Sequence, residues 1–119
     1  MAEDQTYQNA REIVELALSK KAKHICLLDL RGLSNMTDFF IICHGDSDVQ
    51  VKAIADAISM GMKKMGEYVW HKEGYDFLHW VLLDYVDIVV HVFEKETRAF
   101  YALERFWGDA KQELFGEAE

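Results

Sequence analysis

Asp84 and Asp87 stand close together in the middle of a β-rich stretch, residues 79–93 (HWVLLDYVDIVVHVF). Carboxylates held on neighbouring strands are suited to a hard cation, and could position Mg²⁺ for nucleotidyl transfer. That chemistry also requires a basic or glycine-rich cradle for a triphosphate, and none accompanies them. The histidines offer less. His24, His44, His71, His79 and His91 show neither an i,i+4 helical pair nor a Cys/His spacing of the zinc type. Each is read as a hydrogen-bonded structural residue. Nucleophilic catalysis lacks a G-x-S-x-G elbow, and neither Cys26 nor Cys43 has an evident base beside it. Gly45-Asp46-Ser47 could hold an anion on free backbone N–H groups, but helix capping explains the same residues and the carboxylates would repel phosphate. Nucleotidyl transfer through Asp84 and Asp87 stays open as the enzymatic alternative.

The aromatic residues carry more signal. Residues 79–93 read as two strands hinged at Asp84-Tyr85-Val86-Asp87. A two-residue loop of Tyr85 and Val86 sets Trp80 opposite His91, Leu82 opposite Val89 and Asp84 opposite Asp87. Side chains alternate across a strand, so these residues share one face. The other face (Val81, Leu83, Ile88, Val90, Val92) is aliphatic throughout and belongs in the core. Two features oppose this hairpin: like charges facing each other are unfavourable, and Val86 is a poor residue where φ is positive. Trp, Tyr and Arg dominate binding energy at protein interfaces. Trp80, beside carboxylates on a mixed face, is read as a contact residue, with Tyr85, Tyr101 and Trp107 nearby in sequence.

The elements that must position this hairpin follow from periodicity. Ala10, Ile13, Val14, Ala17 and Leu18 form an apolar stripe predicting a helix over about residues 6–20, closed by Lys20, Lys21 and Lys23. HICLLDL (24–30) and DFFIIC (38–43) are short apolar runs expected as strands buried on both faces. Ser47 with Gln50 is a capping-box pattern opening a second helix, along which Val51, Ile54, Ala55, Ile58, Met62 and Met65 follow one face. Gly61 should weaken that helix and Gly66 should stop it. Residues 67–70 form a candidate short strand, 71–76 a polar turn, and 94–107 a third helix ended by Gly108. The order predicts an α/β (α+β) domain: one compact unit, residues 1–119, with a flexible acidic tail over 111–119.

Composition bounds the partners. The chain has 119 residues, half of them hydrophobic, with no proline and a net charge of −8. That size is ample for one core. The acidity argues against direct binding to DNA or RNA, where Lys and Arg must neutralise phosphates, and is matched to a basic protein surface. No apolar run is long enough to span a bilayer and no signal-peptide layout precedes the first helix, so a cytoplasmic (or organelle-matrix) location is expected. Cys26 and Cys43 are isolated in apolar stretches and read as buried thiols of a reducing compartment.

The chain also resembles the ribosomal silencing factor family, the Iojap-like proteins. The resemblance is carried by DLRGLS (29–34), TDFFIIC (37–43), SDVQVKAIA (47–55), Glu73-Gly74, WVLLDY (80–85), DIVVHVF (87–93) and RAFYALERFW (98–107), in that order. It implies a mixed five-stranded sheet with flanking helices, similar to the nucleotidyltransferase fold, in a protein that is not an enzyme and needs no cofactor or metal. It further implies a translational repressor, often dimeric, that binds the large ribosomal subunit through its protein fourteen and sterically blocks joining of the small subunit when nutrients are short. Trp80 and Tyr101, near Asp84, Asp87 and Glu104, match the family's partner-binding surface. With the adjoining Tyr85 and Arg98, they form the expected contact set. Family members usually carry Gly where this chain has Val86, and many have an acidic residue at the position of His79.

Overall fold

The apolar stripe of the N-terminal segment becomes α1 (Gln5–Leu18), with Ala10, Ile13, Val14 and Ala17 fully buried. The turn that follows it is tied down from a distance: Gln50 Nε2 donates to Lys20 O and Lys21 O at 3.3 and 3.1 Å. Gln50 also opens α2 (Asp48–Lys64), where its backbone N–H donates to the Ser47 Oγ at 3.1 Å. The N-cap predicted from Ser47 is therefore present. Gly61 has a different role from the weakening expected of it. A Cβ there would overlap the Leu16 side chain, so the missing side chain lets α1 and α2 approach.

The computed structural model describes residues 4–116. Its strands are β1 (Lys23–Asp29), β2 (Phe39–Gly45), β3 (His71–Glu73), β4 (Trp80–Asp84), β5 (Ile88–Glu94) and β6 (Lys111–Phe115), in one six-stranded sheet of order β3-β4-β5-β2-β1-β6. All neighbours run antiparallel except the central pair, β2 and β5, which is parallel with Phe39 beside Ile88 and Gly45 beside Glu94. β1 and β2 are buried on both faces, as their unbroken apolar runs require. One face packs on α1 and α2 through residues such as Leu27, Ile41, Val81, Leu83, Val90 and Val92. The other carries a smaller core of Cys26, Leu28, Leu30, Ile42, Phe93 and Ala110, against which Phe40, Trp80, Leu103 and Trp107 lie. Both thiols are buried, and desolvation raises Cys26 to about 11 and Cys43 to about 12. No helix among the described residues is long and apolar enough to cross a membrane.

Four local expectations change. The sheet has a sixth strand: residues 111–115 pair with β1, from Asp29 beside Lys111 to Ile25 beside Phe115, where a flexible tail was expected. Residues 117–119 of that tail lie outside the described residues. The short strand before the hairpin is His71–Glu73 rather than residues 67–70. The third helix is two, α3 (Lys95–Tyr101) and α4 (Leu103–Phe106), because Ala102 takes a left-handed conformation (φ 46°, ψ 50°) that ends one helix before the other begins. Finally, β4 and β5 pair Trp80 with Phe93, Leu82 with His91 and Asp84 with Val89. This register is displaced by two residues from the expected one, and a two-residue displacement leaves every side chain on the same face.

Candidate functional site

The turn between β4 and β5 determines where the acidic residues point. Tyr85 N–H donates to Ile88 O at 2.8 Å, so Val86 and Asp87 form the loop instead of Tyr85 and Val86. Asp87 N–H donates back to Tyr85 O at 3.0 Å, and Val86 between them has φ +77°. Together these describe the strained, positive-φ γ-turn. Asp84 supports it by accepting the Val86 N–H on Oδ1 at 2.7 Å. Asp84 and Asp87 therefore do not oppose each other. Asp84 borders the mixed face, while Asp87 lines a small cleft on the helical side with Thr6, Asn9, Met62 and Tyr85. Tyr85 packs against the helix-side core, and burial pushes its hydroxyl up to about 12.

On the mixed face the rings form a continuous ribbon. Phe100 meets Tyr101 edge-on at 5.0 Å between centroids, and Tyr101 meets Trp80 at 4.9 Å. Trp80 lies 5.9 Å from His91, His91 4.6 Å from Phe40, Phe40 6.0 Å from Trp107, and Trp107 5.7 Å from Phe106. These spacings suit tilted and edge-to-face aromatic pairs. The centre rests on the sheet, with Trp80 over the buried Phe93 at 4.8 Å. The ends are open to solvent: Phe100 and Phe106 are each 81% exposed and Tyr101 53%. Beside the ribbon runs a groove of about 590 Å³, floored by Phe40, Leu82, Val89 and His91, walled by Met36 and Trp107, and bordered by Asp84. An open apolar cleft with a carboxylate at its edge can seat apolar side chains beside a cation. Contiguous exposed apolar surface of this kind marks interaction sites.

Trp80 is held for this position from two sides. Its Nε1–H donates to His91 Nδ1 at 3.1 Å. Behind it, Gly74 (φ +93°) comes so close that a Cβ would strike the Trp80 carbonyl. His91 is buried, and desolvation brings its pKa down to about 4.

The expected contact set thus divides. Trp80, Asp84 and Tyr101 share the mixed face. Tyr85 and Asp87 turn to the helical side. Arg98 and Glu104 are directed at each other: Arg98 is 6% exposed, with Nε and Nη2 at 2.8 and 2.7 Å from Glu104 Oε2. Arg98 Nη1 donates to the His24 carbonyl at 2.8 Å and to His44 Nδ1 at 2.9 Å. This guanidinium fastens α3 and α4 to the end of the sheet, where its charge is met internally, and it is not available to a partner. Sequence reasoning missed Phe40, Met36 and the exposed pair Phe100 and Phe106. Phe40 was hidden in an apolar run, and only the alternation of β2, with Phe39 buried inward and Phe40 outward, could have singled it out. Among the described residues, no group of three or more His, Cys, Asp or Glu is placed to hold a metal ion.

Comparison with known proteins agrees with this architecture. Residues 3–119 match the family model described as ribosomal silencing factor during starvation. The ribosomal silencing factor RsfS of Bacillus subtilis (strain 168) is 45% identical over 106 residues, spanning 86% of this chain and 90% of its own. That of Halalkalibacterium halodurans is 44% identical over 104 residues, spanning 84% and 89%. A crystal structure of a Chromobacterium violaceum protein superposes with a TM-score of 0.84 at 33% identity, covering 86% of this chain and 85% of that one. By sequence over almost its whole length and by fold, the chain belongs to the ribosomal silencing factor family.

Proposed function

We propose that this protein lowers translation by binding the large ribosomal subunit through a basic ribosomal protein, the subunit's protein fourteen, and sterically blocking the small subunit. The observation that carries this reading is the aromatic ribbon from Phe100 to Phe106, exposed at its ends and flanked by a carboxylate-edged groove. Large amphipathic rings around a desolvated centre are the usual source of interface binding energy. Trp80, fixed between Phe93, His91 and Tyr101, is the preorganised anchor, and Asp84 receives a cation of the partner. The net charge of −8 keeps the protein off RNA phosphates and directs it to a basic protein. A homodimer is also implied by the resemblance.

Metal-dependent nucleotidyl transfer requires Asp84 and Asp87 side by side, and they line different clefts. The docking reading is tested by co-sedimentation with purified large and small subunits, each alone, at two salt concentrations. Selective pelleting with the large subunit is expected, and Trp80→Ala should weaken it by about 30-fold or more, equivalent to roughly 2 kcal/mol. Unchanged binding by a folded Trp80→Ala protein would remove this face from the interface.

A further inference from the structure

The groove beside Trp80 is lined by a histidine, His91, one of whose ring nitrogens the fold leaves unused. Trp80 Nε1–H donates to His91 Nδ1, which fixes Nδ1 as an acceptor. A neutral imidazole carries a single N–H, so the proton sits on Nε2. The depressed pKa of about 4 keeps the ring neutral at physiological pH. His91 is 4% exposed and lies on the groove floor with Phe40, Leu82 and Val89. Its Nε2 is buried and makes no hydrogen bond within the protein. A buried donor without a partner is costly, and the ring that carries it borders the groove.

The surroundings narrow what could meet this donor. The lining is largely aromatic and aliphatic, and its charged member is Asp84. An anionic acceptor would be desolvated there and repelled by Asp84. A carbonyl oxygen is neutral and only accepts, so it suits Nε2–H without leaving a second group unsatisfied. The groove's 590 Å³ is within the roughly 300–1,000 Å³ of sites that enclose a ligand, room enough for a short length of polypeptide.

We propose that His91 is a specificity-determining residue of the docking face, its Nε2–H donating to a backbone carbonyl of a partner segment. An apolar side chain of that segment fills the groove, and an adjacent Lys or Arg meets Asp84. The proposal rests on the docking reading above and adds to it a polar contact at the floor of an otherwise apolar site. Such contacts discriminate strongly, because a partner that fails to supply the acceptor leaves a buried donor unpaired.

The test measures affinity for purified large subunits of the wild type, His91→Phe, His91→Gln and Trp80→Ala, with each fold checked by circular dichroism and thermal melting. His91→Phe keeps a ring against Phe40 and removes the donor, while His91→Gln restores a donor and an acceptor at similar reach. His91→Phe should bind about 10-fold more weakly or worse, and His91→Gln should recover most of that loss. If His91→Phe fails to fold, His91→Leu serves the same comparison. Wild-type affinity in the apolar variant would show that the donor takes no part in binding, and an equal loss in the apolar variant and in His91→Gln would assign His91 to packing. Either overturns the proposal while a weakened Trp80→Ala leaves the docking reading standing. Absence of large-subunit binding by the wild type, or full binding by Trp80→Ala, overturns both.

Discussion

Two basic side chains are buried around the site in opposite ways. The Arg98 guanidinium is surrounded by hydrogen-bond partners, Glu104, two carbonyls and His44. His91 has the Trp80 N–H and a wall of rings, which stabilise only the neutral imidazole. The folded-state pKa of His91, about 4, lies below the ordinary value of 6.5, so the unfolded chain takes up the proton first. Its contribution to stability is complete above about pH 6.5 and is lost as pH falls toward 4, about 3 kcal/mol in all. Urea denaturation of the wild type and His91→Phe across this window should show a shallower pH slope in the variant. At this scale the sequence is informative where a residue is out of keeping with its face. Trp80 among carboxylates was such a case. Arg98 was not: it was expected at the contact surface, while its partner, Glu104, lies beyond a helix break that no glycine announces.

Elements were legible in proportion to their burial. α1, α2, β1 and β2 were visible because each has an unbroken apolar stripe or run and packs on the core. β6 was not, because KQELF lies at the sheet edge, exposed along most of its length, and its pairing with β1 depends on residues far away in sequence. In the β4–β5 hairpin the faces of the strand residues were read correctly, while the pairs and the side taken by Asp87 were not. Alternation fixes the face, whereas the register depends on the turn, and Val86 gives a misleading signal about that turn. With φ +77°, a β-branched residue occupies a conformation natural to glycine. Val86→Gly should therefore raise stability by about 1 kcal/mol in a thermal or urea melt, offset in part by the flexibility glycine adds to the unfolded chain. Because Val86 also lines the groove, the same substitution should weaken binding to the large subunit, separating stability from function.

The two sides of the whole molecule are unequally covered. α1 and α2 shield one face of the sheet over its central strands, while the short α3 and α4 leave the aromatic groove open on the other. With a net charge of −8 and Asp84 at the groove edge, approach to a basic surface is accelerated by attraction that salt screens. Asp84→Asn should accordingly slow association and flatten its dependence on ionic strength in stopped-flow mixing, with a smaller effect on dissociation. The sheet topology bears on how the chain acquires its shape. β1 with β2, and β4 with β5, are local hairpins, but the central β2–β5 seam joins strands separated by the whole of α2. Closing that seam is the step with the large loop-entropy cost, so it should set the refolding rate. β6 adds to the sheet on β1, and the aromatic ribbon draws Phe40 from β2, Trp80 from β4, His91 from β5 and its exposed ends from residues 98–107. Its rings therefore come together only once the β2–β5 seam has closed, so a half-folded copy presents separate aromatic residues and no continuous surface.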